Sequence, residues 1–444
     1  MEKKQMKLGV FTMGTGHHIA SWRHPCVQAD GCEDFYFFYK VAKMAEDGKF
    51  DMLFLSDGLT FNELSHPAEL VRFEPITLLA ALSAVTSHIG LAATATTTYN
   101  EPFHIARKFS SLDHLSKGRA AWNVVTSYYE DEAKNFSKNI HLDHHLRYER
   151  AKEFVEVVKG LWDSWEKDAL IRDKQTGVYF DPKKLHFLNH EGQYFSVKGP
   201  LNSSRSPQGR PILIQAGSSE DGINFAAQIA DVIFTAQQTL EEAQYFYRKV
   251  KKKATEFGRM PDEVIIMPGV SPYIGNSEQE AREKYEQLQE LIVPEIGLAF
   301  LSDYLGGIDL SKYSLDDPLP EEIPDTNGNK SRRKLIIDLA RREHLTIREL
   351  YKRVAGSRGH RIIFGTPEQI ANQLEEWIIK KGADGFNLMF PYYPDSLSEF
   401  VDQVIPILQE RGLFRKEYEG TTLRENLGLP EPESRYTHIY EPNL

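Results

Sequence analysis

Hydrogen-bonding side chains follow a buried apolar run and return at the start of the next amphipathic segment. The run Ala120–Val125 is almost entirely apolar, and Ser127 comes shortly after it. Further along, Asp143 could cap a helix, which would place His144 and Tyr148 one turn apart on the same side of its first turn. Imidazole and hydroxyl donors at a helix N-terminus suit an anion, because the helix dipole adds to them.

A second candidate for anion binding is segment 215–222, which reads QAGSSEDG and separates an apolar run from a helical one. Gly217 lets the backbone approach a ligand closely, and Ser218 and Ser219 offer hydroxyl and amide groups at a helix N-terminus. An ordinary helix cap would give the same pattern. A location near His144 favours a phosphate cradle.

Asp57 follows another apolar run, and its neighbour Gly58 makes a simple turn cap the alternative to a ligand-binding role. Thr94 opens the polar end of the next run. The histidine spacings do not match the two-turn pattern of a metalloprotease, so we predict no metal site. The histidines considered for this role are His17, His18, His141, His144 and His145.

The net charge, the lengths of the apolar stretches and the number of cysteines exclude several classes of protein. The 444 residues carry a formal net charge of −11, whereas nucleic-acid binding needs a basic face. No stretch approaches the ~20 apolar residues of a membrane helix, and the N-terminal apolar segment is too short for a signal peptide. The chain has two cysteines, Cys26 and Cys32. We therefore expect a cytoplasmic protein without disulfides, membrane or nucleic acid.

The elements that must position these groups alternate between strands and helices. This alternation predicts a (β/α)8 TIM barrel, in which the polar strand ends meet at one face. A doubly wound open sheet is the alternative, although no Gly-x-Gly-x-x-Gly follows a strand. The eight predicted strands are 7–11, 50–55, 89–98, the run from 118, 211–215, 231–235, 264–274 and 384–390.

The alternation breaks twice. Residues 166–210, after strand 4, predict an insertion of hairpins and loops, and residues 296–360, between strands 7 and 8, predict a longer one with two basic helical segments. Thr366, Pro367 and Gln369 form a helix start with a capping box. The tail from 411 is polar. We interpret residues 1–444 as one domain, and the second insertion as a lid over the site.

Several motifs together resemble one family. They cover essentially the whole chain, and the chain is similar to the bacterial luciferase-like flavin monooxygenases. Within that family it resembles the branch of nitrilotriacetate, EDTA, dibenzothiophene-sulfone and long-chain alkane monooxygenases. The motifs are WRHP at 22–25, GKFDMLFLSDGL at 48–59, EPF at 101–103, SLDHLSKGRAAWNVVTS at 111–127, HHLRYERA at 144–151, QAGSSEDG at 215–222, GTPEQIA at 365–371 and RGLFRKEYEGTTLRENLGL at 411–429.

The resemblance implies a TIM barrel that uses reduced FMN from a separate NAD(P)H-dependent flavin reductase. Dioxygen would then oxygenate a small organic substrate through a C4a-(hydro)peroxyflavin. The substrate would be a sulfur-containing compound or an aminopolycarboxylate, and a homodimer or homotetramer would be usual. A flavin- or F420-dependent dehydrogenase of the same fold, or a flavoprotein that does not oxygenate, is the alternative.

By motif position, the resemblance also assigns site residues. The implied FMN contacts are Asp57, Thr94, His144, Tyr148 and Ser218, the last three on the phosphate. His18 and Tyr128 occupy positions where relatives carry polar active-site residues. We expect these two to orient the peroxide or to relay a proton.

Overall fold

The computed structural model describes residues 5–437. In chain order its strands are β1 (Lys7–Thr12), β2 (Met52–Leu55), β3 (Gly90–Thr96), β4 (Ala120–Val125), β5 (His190–Glu191), β6 (Ser196–Val197), β7 (Ile212–Gln215), β8 (Val232–Thr235), β9 (Ile265–Ile274), β10 (Arg361–Gly365) and β11 (Gly385–Leu388).

The α-helices alternate with these strands over most of the chain. They are α1 (Phe35–Asp47), α2 (Pro67–Leu70), α3 (Pro75–Ser83), α4 (Pro102–Leu115), α5 (Glu132–Asn135), α6 (His144–Trp162), α7 (Glu220–Ile229), α8 (Leu240–Glu256), α9 (Glu278–Glu290), α10 (Pro294–Tyr304), α11 (Lys330–Glu343), α12 (Ile347–Ser357), α13 (Pro367–Ile379), α14 (Asp395–Glu399), α15 (Ile405–Glu410) and α16 (Leu423–Leu427). None of those between residues 5 and 437 is long and apolar enough to cross a membrane.

Eight parallel strands close into a barrel. Their order is β1-β2-β3-β4-β7-β8-β9-β11, and β11 pairs with β1 again. In register, Val10 lies opposite Leu53 on one side and Leu388 on the other. The predicted (β/α)8 barrel is therefore confirmed, and the open sheet is wrong because an open sheet would leave β1 or β11 as an edge.

Both faces of the strands are buried, which explains their nearly continuous apolar runs. Val10 and Trp122 point outward and pack in the core shared with the surrounding helices. Phe11, Phe54 and Phe234 point inward and fill the barrel with a second cluster. The strand ends are thereby fixed from both sides, so the side chains that follow them are positioned rigidly.

Both predicted insertions are present, and the second one contains more structure than the sequence indicated. Residues 166–210 hold loops and the short antiparallel pair β5–β6. Residues 296–360 hold α11 and α12 as predicted, and also most of α10, which the sequence analysis missed. These three helices bury a separate apolar core that includes Phe300, Ile336 and Leu350. The insertion is therefore a packed subdomain on the barrel.

Strand β10 was not predicted. It lies outside the closed barrel and pairs with the second half of β9, with Arg361 opposite Val270 and Gly365 opposite Ile274. The first half of β9 belongs to the barrel, because Ile265 pairs with Val232 of β8. Strand β9 therefore projects beyond the barrel mouth, and β10, which follows the second insertion, pairs with this projecting part of β9.

Candidate functional site

A cavity opens at the C-terminal ends of β2, β3, β4 and β7. It holds about 980 Å³ of empty space, counted out to its open mouth. The first turn of α6 and the loop before α7 form one side. Residues 328–331, at the start of α11, form part of the lining from the second insertion.

Most of the residues predicted from the sequence line this one cavity. They are Asp57, Thr94, Tyr128, His144 and Tyr148. The hydroxyl of Thr94 donates to the Leu55 carbonyl and accepts from the Asn123 amide, both at 2.8 Å. The other amide atom of Asn123, Oδ1, is buried without a partner in the described part of the chain. The hydroxyl of Thr94 is thus fixed at the cavity wall, and Asn123, which is not itself part of the lining, is bonded to it.

Ser218 is placed differently from its neighbour. Its hydroxyl lies 3.2 Å from Thr235 Oγ1, and Ser218 is not among the lining residues. Ser219 does line the cavity, and its hydroxyl caps α7 by accepting from the Gly222 amide at 3.1 Å. The polar side chain that this loop presents is therefore that of Ser219.

His18 also lies outside the lining, in a layer beside it. It is fully buried, and its Nδ1 accepts from the Ala20 amide at 3.1 Å. Burial lowers the pKa of His18 to about 3. Within the described residues Nε2 has no partner. His18 is therefore a neutral imidazole at physiological pH, with one free ring nitrogen.

Two helix N-termini converge on the far side of the cavity. His144 is the first residue of α6, and Ser219 is the N-cap of α7. The Tyr148 hydroxyl approaches the loop before α7 closely. A Cβ added to Gly217 in that loop would lie 2.8 Å from the hydroxyl oxygen. Burial raises the pKa of Tyr148, so the phenol remains a donor. The two dipoles and these donors create a site for an anion.

The start of α6 is capped by a different residue from the one predicted. Asp143 occupies the N-cap position, but its side chain makes no capping hydrogen bond. The His144 amide instead donates to Oδ1 of Asn327, at 3.1 Å. The side chain of His144 lies near Asp221, with Nδ1 and Oδ2 3.5 Å apart. Burial and the charge of Arg147 lower the pKa of His144.

Arg147 is a site residue that was not predicted from the sequence. It lines the cavity although only 1% of it is exposed. Its guanidinium donates to the carbonyls of Ser127 and Asn327, at 2.7 and 2.8 Å. Among residues 5–437 it makes no ion pair, and its Nε has no partner. Its position three residues after His144 is the signal that could have revealed it.

Arg147 is held by a short polar chain. One terminal nitrogen donates to Nε2 of His141, and Nδ1 of His141 lies 2.5 Å from the Tyr99 hydroxyl. Burial lowers the pKa of His141 to about 4. A neutral ring can accept the arginine N–H, so this chain orients a positive charge without cancelling it.

Two carboxyl groups, those of Asp57 and Glu132, also line the cavity. Burial raises the pKa of Asp57 to about 6, although the charge of Arg72 opposes the rise. Burial also raises the pKa of Glu132, and Oε2 of this residue has no partner in the portion of the chain described. The cavity therefore combines the guanidinium of Arg147 with two acids whose pKa burial raises, and Asp221 lies beside His144 at the start of α7. The described residues contain no group of three or more metal-ligating side chains arranged to hold an ion.

Comparison with known proteins identifies the family. A model described as luciferase-like monooxygenase matches residues 6–385. N-acetyl-S-(2-succino)cysteine monooxygenase of Bacillus subtilis (strain 168) is 62% identical, covering 98% of this chain and 99% of the relative. Nitrilotriacetate monooxygenase component A of Aminobacter aminovorans is 49% identical, covering 97% and 98%.

A solved structure agrees with this placement. A riboflavin lyase crystallised with modified FMN and riboflavin superimposes with a TM-score of 0.87 and 34% identity, covering 98% of both chains. The predicted resemblance is therefore confirmed over essentially the whole length. The chain belongs to the luciferase-like monooxygenase family and is a flavin-dependent monooxygenase.

Proposed function

We propose that this protein is the oxygenating component of a two-component system that uses reduced FMN and dioxygen. A separate NAD(P)H-dependent flavin reductase would supply the reduced flavin. The name of the Aminobacter relative, component A, supports this division of labour. We treat residues 1–444 as one catalytic domain, as predicted from the sequence.

The observation that carries the proposal is the buried, unpaired Arg147 beside two helix N-termini. The charges of Glu132 and Asp143 act on Arg147, but neither carboxylate forms an ion pair with it among the described residues. A buried guanidinium without an ion pair is costly, and the phosphate of FMN would offset that cost. Together with Arg147, the residues that would hold the phosphate are His144, Tyr148 and Ser219. Ser218, which the resemblance assigns to the phosphate, would act through the same loop. Asp57 and Thr94 would face the ring system.

When bound, reduced flavin supplies the electrons for oxygen activation. The residues of this chain would hold it and keep water away. Residues 328–331 line the cavity from the insertion, and Tyr129 fastens that insertion through a 2.8 Å hydrogen bond to Asp303. Tyr128 lines the same cavity, and burial raises its pKa, so its phenol would orient the reacting oxygen by donating a hydrogen bond. His18, neutral and one layer behind, would orient groups at the barrel mouth rather than act as an acid.

The substrate class follows from the relatives. N-acetyl-S-(2-succino)cysteine and nitrilotriacetate both carry several carboxylates around a sulfur or nitrogen atom. We propose a substrate of this kind, a thioether or an aminopolycarboxylate. We also propose that the protein works in the cytoplasm as a homodimer or homotetramer. The free thiols of Cys26 and Cys32 are compatible with a reducing compartment.

Anaerobic titration of the purified protein with photoreduced FMN tests the proposal. We expect reduced FMN to bind more tightly than reduced riboflavin, since only FMN has the phosphate. Admission of oxygen with substrate should then couple oxygen uptake to product formation. Tight binding of F420 with no binding of FMN would instead indicate a deazaflavin-dependent dehydrogenase, and binding of FMN without coupled oxygen uptake would indicate a flavoprotein that does not oxygenate.

A further inference from the structure

A second arginine without a carboxylate partner among the described residues follows a segment that lines the cavity. Residues 328–331 line the cavity, and Arg332 is the next residue along α11. It is partly buried. The phenols of Tyr128 and Tyr304 lie close enough to influence its pKa, which burial lowers. The lining includes Tyr128 and residues 328–331 but not Arg332 itself, so Arg332 would reach a substrate past these neighbours.

The hydrogen bonds of Arg332 orient its charge without neutralising it. Nη1 donates to the Arg358 carbonyl at 2.6 Å, and Nη2 lies 3.0 Å from Nε2 of His360. Both acceptors are uncharged. In the described part of the chain no Asp or Glu carboxylate lies within ion-pair distance of Arg332, whereas the neighbouring Arg358 pairs with Glu69 at 2.8 Å. The carboxyl of Asp303 is engaged by Tyr129. Among the described residues, Arg332 is therefore a cation without an ion pair.

The packing of His360 keeps its ring neutral and able to accept the hydrogen bond from Arg332. Its ring stacks on Phe234, with centroids 5.1 Å apart and planes 11° apart. The other face approaches β9 at Gly269, where an added Cβ would lie 2.3 Å from Nδ1. Burial, then the charge of Arg332, keeps the pKa of His360 well below its usual value. The imidazole is thus neutral, and its Nε2 lone pair can receive the arginine N–H.

Further unsatisfied polar atoms lie in the same layer, one an acceptor on His17 and one a donor on His66. Phe234 contacts Phe11, with centroids 5.5 Å apart, and Phe11 contacts His17 at 4.4 Å. His17 and His66 are completely buried. Nδ1 of His17 and Nε2 of His66 lack partners among the residues described. Leaving such atoms unpaired costs free energy, which a bound polar ligand would recover.

We propose that Arg332 is the anchor for a substrate carboxylate, oriented by His360, and that the enzyme therefore acts on an organic anion. This inference rests on the proposed function, because it assigns the substrate pocket to the same cavity. A guanidinium held by neutral acceptors retains N–H groups for a carboxylate and loses little freedom on binding it. A neutral alkane or sulfone would leave that charge uncompensated.

A purely structural role would give Arg332 the same two hydrogen bonds, since they tie α11 to the end of α12. The two roles differ in what they recognise. A residue with only a structural role affects the binding of every ligand equally, whereas a residue that binds the substrate carboxylate discriminates between an acid and its ester. The substitutions Arg332→Gln and Arg332→Lys separate these effects. Arg342→Gln is the matched control, because Arg342 lies on the same helix and makes only exposed ion pairs.

The experiment is calorimetric binding of nitrilotriacetate, N-acetyl-S-(2-succino)cysteine and their methyl esters to the protein loaded with oxidised FMN. We expect the wild type to bind at least one acid more tightly than its ester. Arg332→Gln should weaken acid binding roughly 10- to 100-fold, as expected for a lost charge-assisted hydrogen bond. Ester binding and FMN affinity should stay constant, Arg332→Lys should lie between, and Arg342→Gln should match the wild type.

Three results would overturn the inference while leaving the proposed function intact. The first is acid affinity retained within about threefold in Arg332→Gln. The second is an equal loss for acids and esters. The third is a wild type that oxygenates only neutral thioethers, sulfones or alkanes. If instead the wild type neither binds FMN nor couples oxygen uptake to any substrate, it is the proposed function that fails.

Discussion

Replacement of Arg147 should separate recognition of FMN from recognition of riboflavin. The buried guanidinium lies beside the two helix N-termini and makes no ion pair in the described chain. A hydrogen bond to a charged group contributes roughly 1.5–3 kcal/mol. At about 1.4 kcal/mol per tenfold change in affinity, Arg147→Met should weaken FMN binding roughly 10- to 150-fold. Riboflavin has no phosphate, so its affinity should change little.

The same substitution also affects the fold, and this cost must be measured separately. Arg147 donates to the carbonyls of Ser127 and Asn327, and each buried acceptor left unpaired costs roughly 1–3 kcal/mol. We therefore expect a lower midpoint of thermal unfolding for Arg147→Met. Arg147→Lys keeps the positive charge and should retain part of both the stability and the preference for FMN.

The assay is a fluorescence titration of each variant with FMN and with riboflavin, under conditions in which unfolding curves show the variant to be native. Arg150→Met is the matched control. Arg150 lies on the same helix, is partly buried and packs over Phe195, with its guanidinium 4.6 Å from the ring centroid. It is not part of the cavity lining. Equal losses for both flavins, or unchanged FMN affinity in folded Arg147→Met, would refute the reasoning.

Three further predictions concern the same cavity. His144 has a lowered pKa in the free protein, and a phosphate dianion would favour its imidazolium. FMN binding near neutral pH should thus take up as much as about one proton, measured in buffers of different ionisation enthalpy, and His144→Gln should abolish the uptake. Burial raises the pKa of Asp57 from 3.8 to about 6. Between these two values the carboxyl keeps its proton in the native state but loses it in the unfolded chain. The contribution of Asp57 to the free energy of unfolding therefore falls as the pH rises from about 4 to 6. Asp57→Asn should therefore stabilise the protein by at most about 3 kcal/mol at about pH 7. The gain should vanish below about pH 3, and a difference between the unfolding curves that does not change with pH would contradict this. Ser219→Ala should weaken FMN binding and shorten α7, at a cost of about 1 kcal/mol in stability. Ser218→Ala should leave FMN affinity nearly unchanged. A larger loss of FMN affinity in Ser218→Ala than in Ser219→Ala would restore Ser218 as the phosphate ligand.

The barrel strands could be predicted because each one is an apolar run covered on both faces. The run at β4 and the polar Ser127 after it illustrate this, since burial and strand ends both leave a pattern in the sequence. Strand β10 left no such pattern. Its five residues include Arg361 and Gly365, and they are strand only because β9 projects far enough to pair with them. That pairing partner is distant in sequence.

Site residues could be predicted where their spacing within one helix or strand end positions them, and not where contacts with the second insertion do. His144 and Tyr148 were found because a helix start fixes their spacing. Asn327, which caps α6 in place of Asp143, lies 183 residues from His144. The same segment covers the first turn of α6, so Arg147 is enclosed although its helix face alone would have been exposed. Arg332 depends in turn on the packing of α11 against the barrel.

The central claim is that this chain transfers an oxygen atom from dioxygen to a substrate when reduced FMN is bound. The most direct measurement uses photoreduced FMN without any reductase, ¹⁸O-labelled dioxygen, and nitrilotriacetate or N-acetyl-S-(2-succino)cysteine, with the products analysed by mass spectrometry. We predict that a product carries one labelled oxygen atom and that riboflavin supports the reaction poorly. Oxygen consumption that yields hydrogen peroxide alone with every substrate offered, neutral thioethers and sulfones included, would contradict the claim.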